Sequence, residues 1–135
     1  MTEIKRKSKF YNMELKKILI IEDDPEERLI LTRELKKEGY IVYEAPTGEE
    51  GLKIFKEDKP DLVILDVVLP GIDGWEVLRR IKKGPISRKV PVMMLTGKNQ
   101  DSDKIKGYEI GADYYVTKPY NISKLIPVIR SLIEE

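Results

Sequence analysis

The chain has 135 residues and contains neither cysteine nor histidine. Those absences exclude disulfide frameworks, thiolate and imidazole metal sites, Ser-His chemistry and an internal phosphohistidine. Charged residues make up 36% of the chain, but 25 basic side chains are balanced by 24 acidic ones, so the net charge gives no footprint for a nucleic-acid partner.

Residues 1–16 stand apart as a basic arm. Counted with Lys17, the segment holds six basic residues and two acids, which leaves 19 basic and 22 acidic residues for the rest. Its opening residues are charged and lack the apolar core of a secretory signal, and no apolar run is long enough to span a bilayer. A cytoplasmic, monomeric protein with no membrane partner is expected, with one domain over residues 17–135.

From Lys17 onward the pattern is regular. Ile18-Leu19-Ile20-Ile21 is apolar without alternation, the mark of a strand covered on both faces. Asp24 and Pro25 suit the cap and first position of a helix that carries Leu29, Ile30 and Leu35 and stops at Gly39. Residues 40–45 read as a second strand. Thr47-Gly48-Glu49-Glu50 is a capping box opening a helix with Leu52, Ile54 and Phe55. Residues 61–66 form a third apolar strand ending in Asp66. After Pro70 and Gly71, Asp73 starts a third helix with Val77, Leu78 and Ile81, and Gly84-Pro85 breaks it. Residues 90–95 are the fourth strand. A helix over roughly 102–110, a strand at 114–117 and a helix from Asn121 onward complete the chain. Pro127 lies inside that last helix, so the helix is expected either to start late or to kink.

Five strands alternating with five helices require right-handed crossovers and a parallel sheet covered on both faces. The expected fold class is therefore α/β, flavodoxin-like (βα)5, with strand order 2-1-3-4-5. In such sheets ligands sit beyond the carboxyl ends of the strands, where the order reverses. Strand one ends in Glu22, Asp23 and Asp24, strand three in Asp66, strand four in Thr96 and Gly97, and strand five in Lys118 and Pro119. Clustered carboxylates without nitrogen or sulfur ligands favour Mg²⁺, a hard cation that keeps waters and phosphate oxygens. Lys118 supplies a point charge and Thr96 a hydroxyl for phosphate oxygens, while Gly97 leaves room beside the backbone. One aspartate of the set can act as a nucleophile and form an acyl phosphate.

Over nearly nine-tenths of its length the chain resembles the receiver domains of two-component response regulators. The resemblance is carried by Ile-Ile-Glu22-Asp23-Asp24-Pro25, by Val-Ile-Leu-Asp66 running on to Gly74, by Leu95-Thr96-Gly97, and by Gly-Ala-Asp-Tyr-Tyr115-Val-Thr-Lys118-Pro119. It implies that Asp66 is the phosphoacceptor, taking its phosphoryl group from a histidine kinase or a histidine phosphotransfer protein. It implies that Asp23, Asp66 and the Val68 carbonyl bind Mg²⁺, with Glu22 acting through a water. Lys118 would contact the phosphoryl group, Thr96 would swing toward it, and Tyr115 would turn inward. The Lys118–Pro119 peptide would be cis. The surface of the fourth helix, fifth strand and fifth helix would carry the switch to a partner. Val68 and Lys98, two residues past Asp66 and Thr96, offer no acid to position attacking water, so slow self-dephosphorylation is expected.

Competing chemistries fit less well. An aspartyl-nucleophile phosphatase would carry a second acid at the position of Val68. A flavin carrier would need small or hydroxyl residues in place of Glu22-Asp23-Asp24-Pro25. No G-x-G-x-x-G follows a strand. The alternative reading of the same fold is a protein-binding module that works without phosphorylation.

Overall fold

The computed structural model describes residues 15–97 and 101–134. Nearly all of the basic arm, and Lys98, lie outside the described residues. The strands are β1 (Lys17–Ile21), β2 (Ile41–Ala45), β3 (Leu62–Asp66), β4 (Val92–Thr96) and β5 (Tyr114–Thr117). The helices are α1 (Pro25–Lys37), α2 (Gly48–Asp58), α3 (Gly74–Lys83), α4 (Asp101–Ile110) and α5 (Ile122–Glu134). All strand pairings are parallel, in the order β2-β1-β3-β4-β5. This is the expected flavodoxin-like arrangement.

Period-two alternation along the central strands divides the core into two halves. Leu19, Ile21, Val63, Leu65 and Met94 face Trp75, Val77, Leu78 and Ile81 of α3, with Leu52 and Phe55 of α2 beside them. Ile18, Ile20, Ile64, Met93 and Leu95 face Leu31 and Leu35 of α1 and Leu125, Ile129 and Ile133 of α5. Each fully buried aliphatic side chain contributes about 1.5–3 kcal/mol relative to exposure, which is why the runs carry almost no polar residue until they reach the edge of the sheet.

The α1 face differs from the sequence reading. Leu31 and Leu35 point inward, whereas Leu29 and Ile30 are about half exposed. Leu29, Ile30 and Leu31 are consecutive and cannot share one helical face, so contact with the sheet decides which of them enters the core. At β4 a short 3-10 turn, Ser87–Lys89, takes up Val90, whose N–H donates to the Ser87 carbonyl. The strand therefore begins later than predicted and includes Thr96. The last helix begins at Ile122 and continues through Pro127. Leu125, Ile129 and Ile133 anchor it at helical spacing, and Pro127 itself is exposed.

Candidate functional site

Caps and turns aim the strand ends at one point. The Asp24 carboxylate caps α1, accepting from the N–H groups of Glu26 and Glu27 at 2.9 and 3.2 Å. Asp73 caps α3 by accepting from the Glu76 N–H. Asn121 caps α5 in the same way through Ser123. Each cap satisfies an orphan amide and fixes where its loop leaves the sheet. After β1, the Glu22 N–H donates to the Ala45 carbonyl at 3.0 Å, and the Arg28 guanidinium donates to the Glu22 carbonyl at 2.7 Å. After β5, the Lys118 N–H donates to the Thr96 carbonyl at 2.6 Å. Gly74 brings α3 against the end of β3: its N–H donates to the Val67 carbonyl, and a Cβ here would fall on the Asp66 carbonyl oxygen.

Four of the expected residues meet. Oxygens of Glu22, Asp23 and Asp66 lie within 4.8 Å of one another. Lys118 Nζ donates to Asp66 Oδ2 at 2.6 Å and to Glu22 Oε1 at 2.8 Å. Asp66 Oδ1 accepts from the Val68 N–H at 3.0 Å. Glu22 is 1% exposed and Asp66 5%, whereas Asp23 faces solvent. Burial, then the neighbouring Glu27, raises the Glu22 carboxyl to about 8, although Lys118 opposes the shift. Burial on its own would lower Lys118, but its carboxylate partners outweigh it and hold the ammonium well above its ordinary value. The site thus pairs one fixed positive charge with more acids than it can neutralise. An oxygen-only donor set carrying that excess fits a hard divalent cation.

Thr96 is fully buried at the end of β4, opposite Thr117 in register. Among the described residues, and leaving out its two chain neighbours, no heavy atom lies within 4 Å of a Cβ built on Gly97. Val68 is 59% exposed. The Lys118–Pro119 peptide is cis. Tyr115 lies on β5. Its ring is buried toward α3 and α4, 6.4 Å from the Tyr108 ring. Gly107 of α4 sits on this seam, where an added Cβ would lie 3.1 Å from Trp75 Cζ3 and 3.3 Å from Tyr115 Cδ2. The Lys106 ammonium lies 5.1 Å from the centre of the Trp75 ring.

The sequence reading missed Glu27. Its carboxylate accepts from Lys118 Nζ at 2.7 Å, and hydrogen bonding to Glu22 and Lys118 holds it below its ordinary value. The available signal was its place in the first turn of the helix that follows the acidic strand end.

Residues 18–130 match the family model for the response regulator receiver domain. The transcriptional regulatory protein AfsQ1 of Streptomyces coelicolor is 45% identical over 116 residues, which is 86% of this chain and 50% of that protein. The chain therefore spans about half the length of this curated relative. Response regulator TrrA of Thermotoga maritima, solved in complex with Mg²⁺-BeF, is 36% identical, with a TM-score of 0.78 over 87% of this chain and 99% of that one. The BeF3-activated N-terminal receiver domain of Klebsiella pneumoniae RstA is 31% identical, with a TM-score of 0.80 over 89% of this chain and all of that one. With this fold, this topology and these matches, the chain belongs to the response regulator receiver domain family, whose members act as signalling phosphoacceptors.

Proposed function

We propose that this chain accepts a phosphoryl group on Asp66 from a partner phosphohistidine, in a Mg²⁺-dependent reaction, and passes the signal on through the surface of α4, β5 and α5. The observation that carries the reading is the Lys118 ammonium 2.6 Å from Asp66 Oδ2, beside a Glu22–Asp23–Asp66 oxygen cluster. Residues 17–135 are the phosphoacceptor unit in this reading.

A carboxylate oxygen of Asp66 attacks phosphorus. A new P–O bond forms and the P–N bond of the donor breaks. Its electron pair goes to the imidazole nitrogen, and the ring departs neutral once protonated. Glu22, Asp23, Asp66 and the Val68 carbonyl are the residues that would hold Mg²⁺, which when bound supplies positive charge against the transferring oxygens. Lys118 adds a second, fixed positive charge at the same place. The buried walls of Glu22 and Asp66 keep the local dielectric low, so these charges count for more than they would in water.

The donor has to dock beside this edge. Leu29 and Ile30 are exposed on α1, and Ile30 joins Pro119, Tyr120 and Ile122 around a shallow cavity of about 250 Å³ next to Lys118. That apolar patch suits a helical partner. On the output side, Thr96 is the hydroxyl nearest the end of β4, and its movement toward a phosphoryl group would free space for the Tyr115 ring. Ile105, Tyr108 and Tyr114 are exposed across α4 and β5 and offer partner contacts. The partner is a protein, as the balanced charge favours. The transcriptional role named for AfsQ1 belongs to a protein of which this chain matches only half.

The test is incubation with acetyl phosphate and Mg²⁺, read by intact mass, beside Asp66→Asn. One phosphoryl group gained with Mg²⁺, and lost in the variant or with chelator, is the expected result. No gain by a folded protein would refute the reading and leave a binding module that works without phosphorylation.

A further inference from the structure

Lys118 has three ammonium N–H groups, and all three are engaged: by Glu22 at 2.8 Å, Glu27 at 2.7 Å and Asp66 at 2.6 Å. A phosphoryl group arriving on Asp66 therefore finds no free donor on Lys118. One carboxylate must let go. Glu22 is a poor candidate, because its side chain is only 1% exposed and releasing it would leave a desolvated polar group without its partner. Asp66, 7% exposed, keeps its charge and its hold on the ammonium until the new P–O bond forms. The Glu27 side chain is 40% exposed and borders the solvent-open cavity lined by Ile30, Pro119 and Tyr120. It can exchange the ammonium for water at little cost.

Resting on the phosphoacceptor reading above, we propose that Glu27 is a positioning residue that holds Lys118 in reserve and must release it to the incoming phosphoryl group, so that it sets the concentration of phosphodonor the domain requires. The Glu27 carboxylate competes with the phosphoryl oxygens for the same N–H. It also places a negative charge one ammonium away from an arriving anion. Removing it should strengthen capture of the donor without touching the Asp66 nucleophile. Glu26 is the matched control. It carries the same charge in the same helical turn, is exposed, and makes no contact with Lys118.

The experiment measures uptake from acetyl phosphate, in which an Asp66 oxygen gains the phosphoryl group and acetate leaves with the electron pair of the broken P–O bond. Initial rates are recorded against donor concentration at saturating Mg²⁺ for wild type, Glu27→Gln, Glu27→Asp and Glu26→Gln. For Glu27→Gln the half-saturating concentration should fall roughly 3- to 10-fold with no fall in the saturating rate. Glu27→Asp, which keeps the charge, should return toward wild type, and Glu26→Gln should match wild type. Mg²⁺ is titrated separately without donor.

An unchanged or raised half-saturation in Glu27→Gln overturns the proposal. So does an equal shift in Glu26→Gln, which would make the effect one of overall charge. A matching shift in Mg²⁺ affinity overturns it as well, because the effect would then act through the cation. Failure of wild type itself to take up phosphate would instead refute the phosphoacceptor reading, so the two failures are distinct.

Discussion

Gly74→Ala probes how tightly the start of α3 is set against the phosphoacceptor loop. The added methyl would fall on the Asp66 carbonyl oxygen and stand 2.7 Å from Val67 Cα and 3.0 Å from the Asp66 carbonyl carbon. Ordinary carbon contacts lie at about 3.5–4.0 Å, so the shortfall is roughly 1 Å against backbone that cannot rotate away. The Gly74 N–H also donates to the Val67 carbonyl, which ties the two segments together. Overpacking of this kind costs about 1–3 kcal/mol where side chains can yield, and more where they cannot. We expect a loss of about 2–4 kcal/mol, or a urea midpoint lower by about 1–2 M at a slope near 2 kcal/mol/M. Urea unfolding followed by far-UV circular dichroism measures it. Gly97→Ala is the comparison, since a Cβ there meets none of the described residues beyond its chain neighbours, and it should change stability by under about 0.5 kcal/mol. If Gly74→Ala also stays within about 0.5 kcal/mol of wild type, the close approach does not constrain the loop and the steric argument fails.

Two further predictions concern the charges. Because burial raises Glu22 to about 8, the cation-free site keeps a proton at neutral pH that a divalent cation must displace. The Mg²⁺ midpoint should tighten by nearly tenfold per pH unit between about 6 and 7 and level off above about 8. Calorimetry in buffers of different ionisation enthalpy should detect the released proton, and a midpoint that is flat with pH would contradict the assignment. The same shift acts on folding. With a folded value above the unfolded 4.5, the contribution of Glu22 to stability is full below that pH and is lost as pH rises toward 8. Glu27, held below its ordinary value, has the opposite sign: its contribution is present above that value and is lost as pH falls through the folded one. The third prediction is for Lys118→Ala, which removes the fixed positive charge beside Asp66. Phosphoryl uptake at saturating Mg²⁺ should slow by about 10²-fold, and a rate within a few-fold of wild type would assign Lys118 a structural role only.

Much of this architecture is legible in the chain because its signals are local. The run Ile18–Ile21 marks a doubly covered strand, and the caps at Asp24, Thr47, Asp73 and Asn121 announce helix starts within three residues of themselves. The strand-end residues could then be gathered by the topology alone. What stayed hidden depends on partners distant in sequence. The phase of α1 is set by the sheet beneath it, so Leu31 rather than Leu29 or Ile30 enters the core. Glu27 gains its meaning only from an ammonium 91 residues away. The start of β4 shifted because Ser87–Lys89 closes a turn through a backbone bond that composition does not announce.

Trp75 is the only tryptophan in the chain, and it lies where α3, Gly107 and Tyr115 converge, with the Lys106 ammonium over its ring. Its emission therefore comes from a single location, free of any second indole signal. Any displacement of α4 or reorientation of the Tyr115 ring changes the dielectric and the charge that this fluorophore experiences. The protein carries an intrinsic optical probe at the seam between its carboxylate site and its outer face. Rapid-mixing fluorescence can time the passage between them without any label attached.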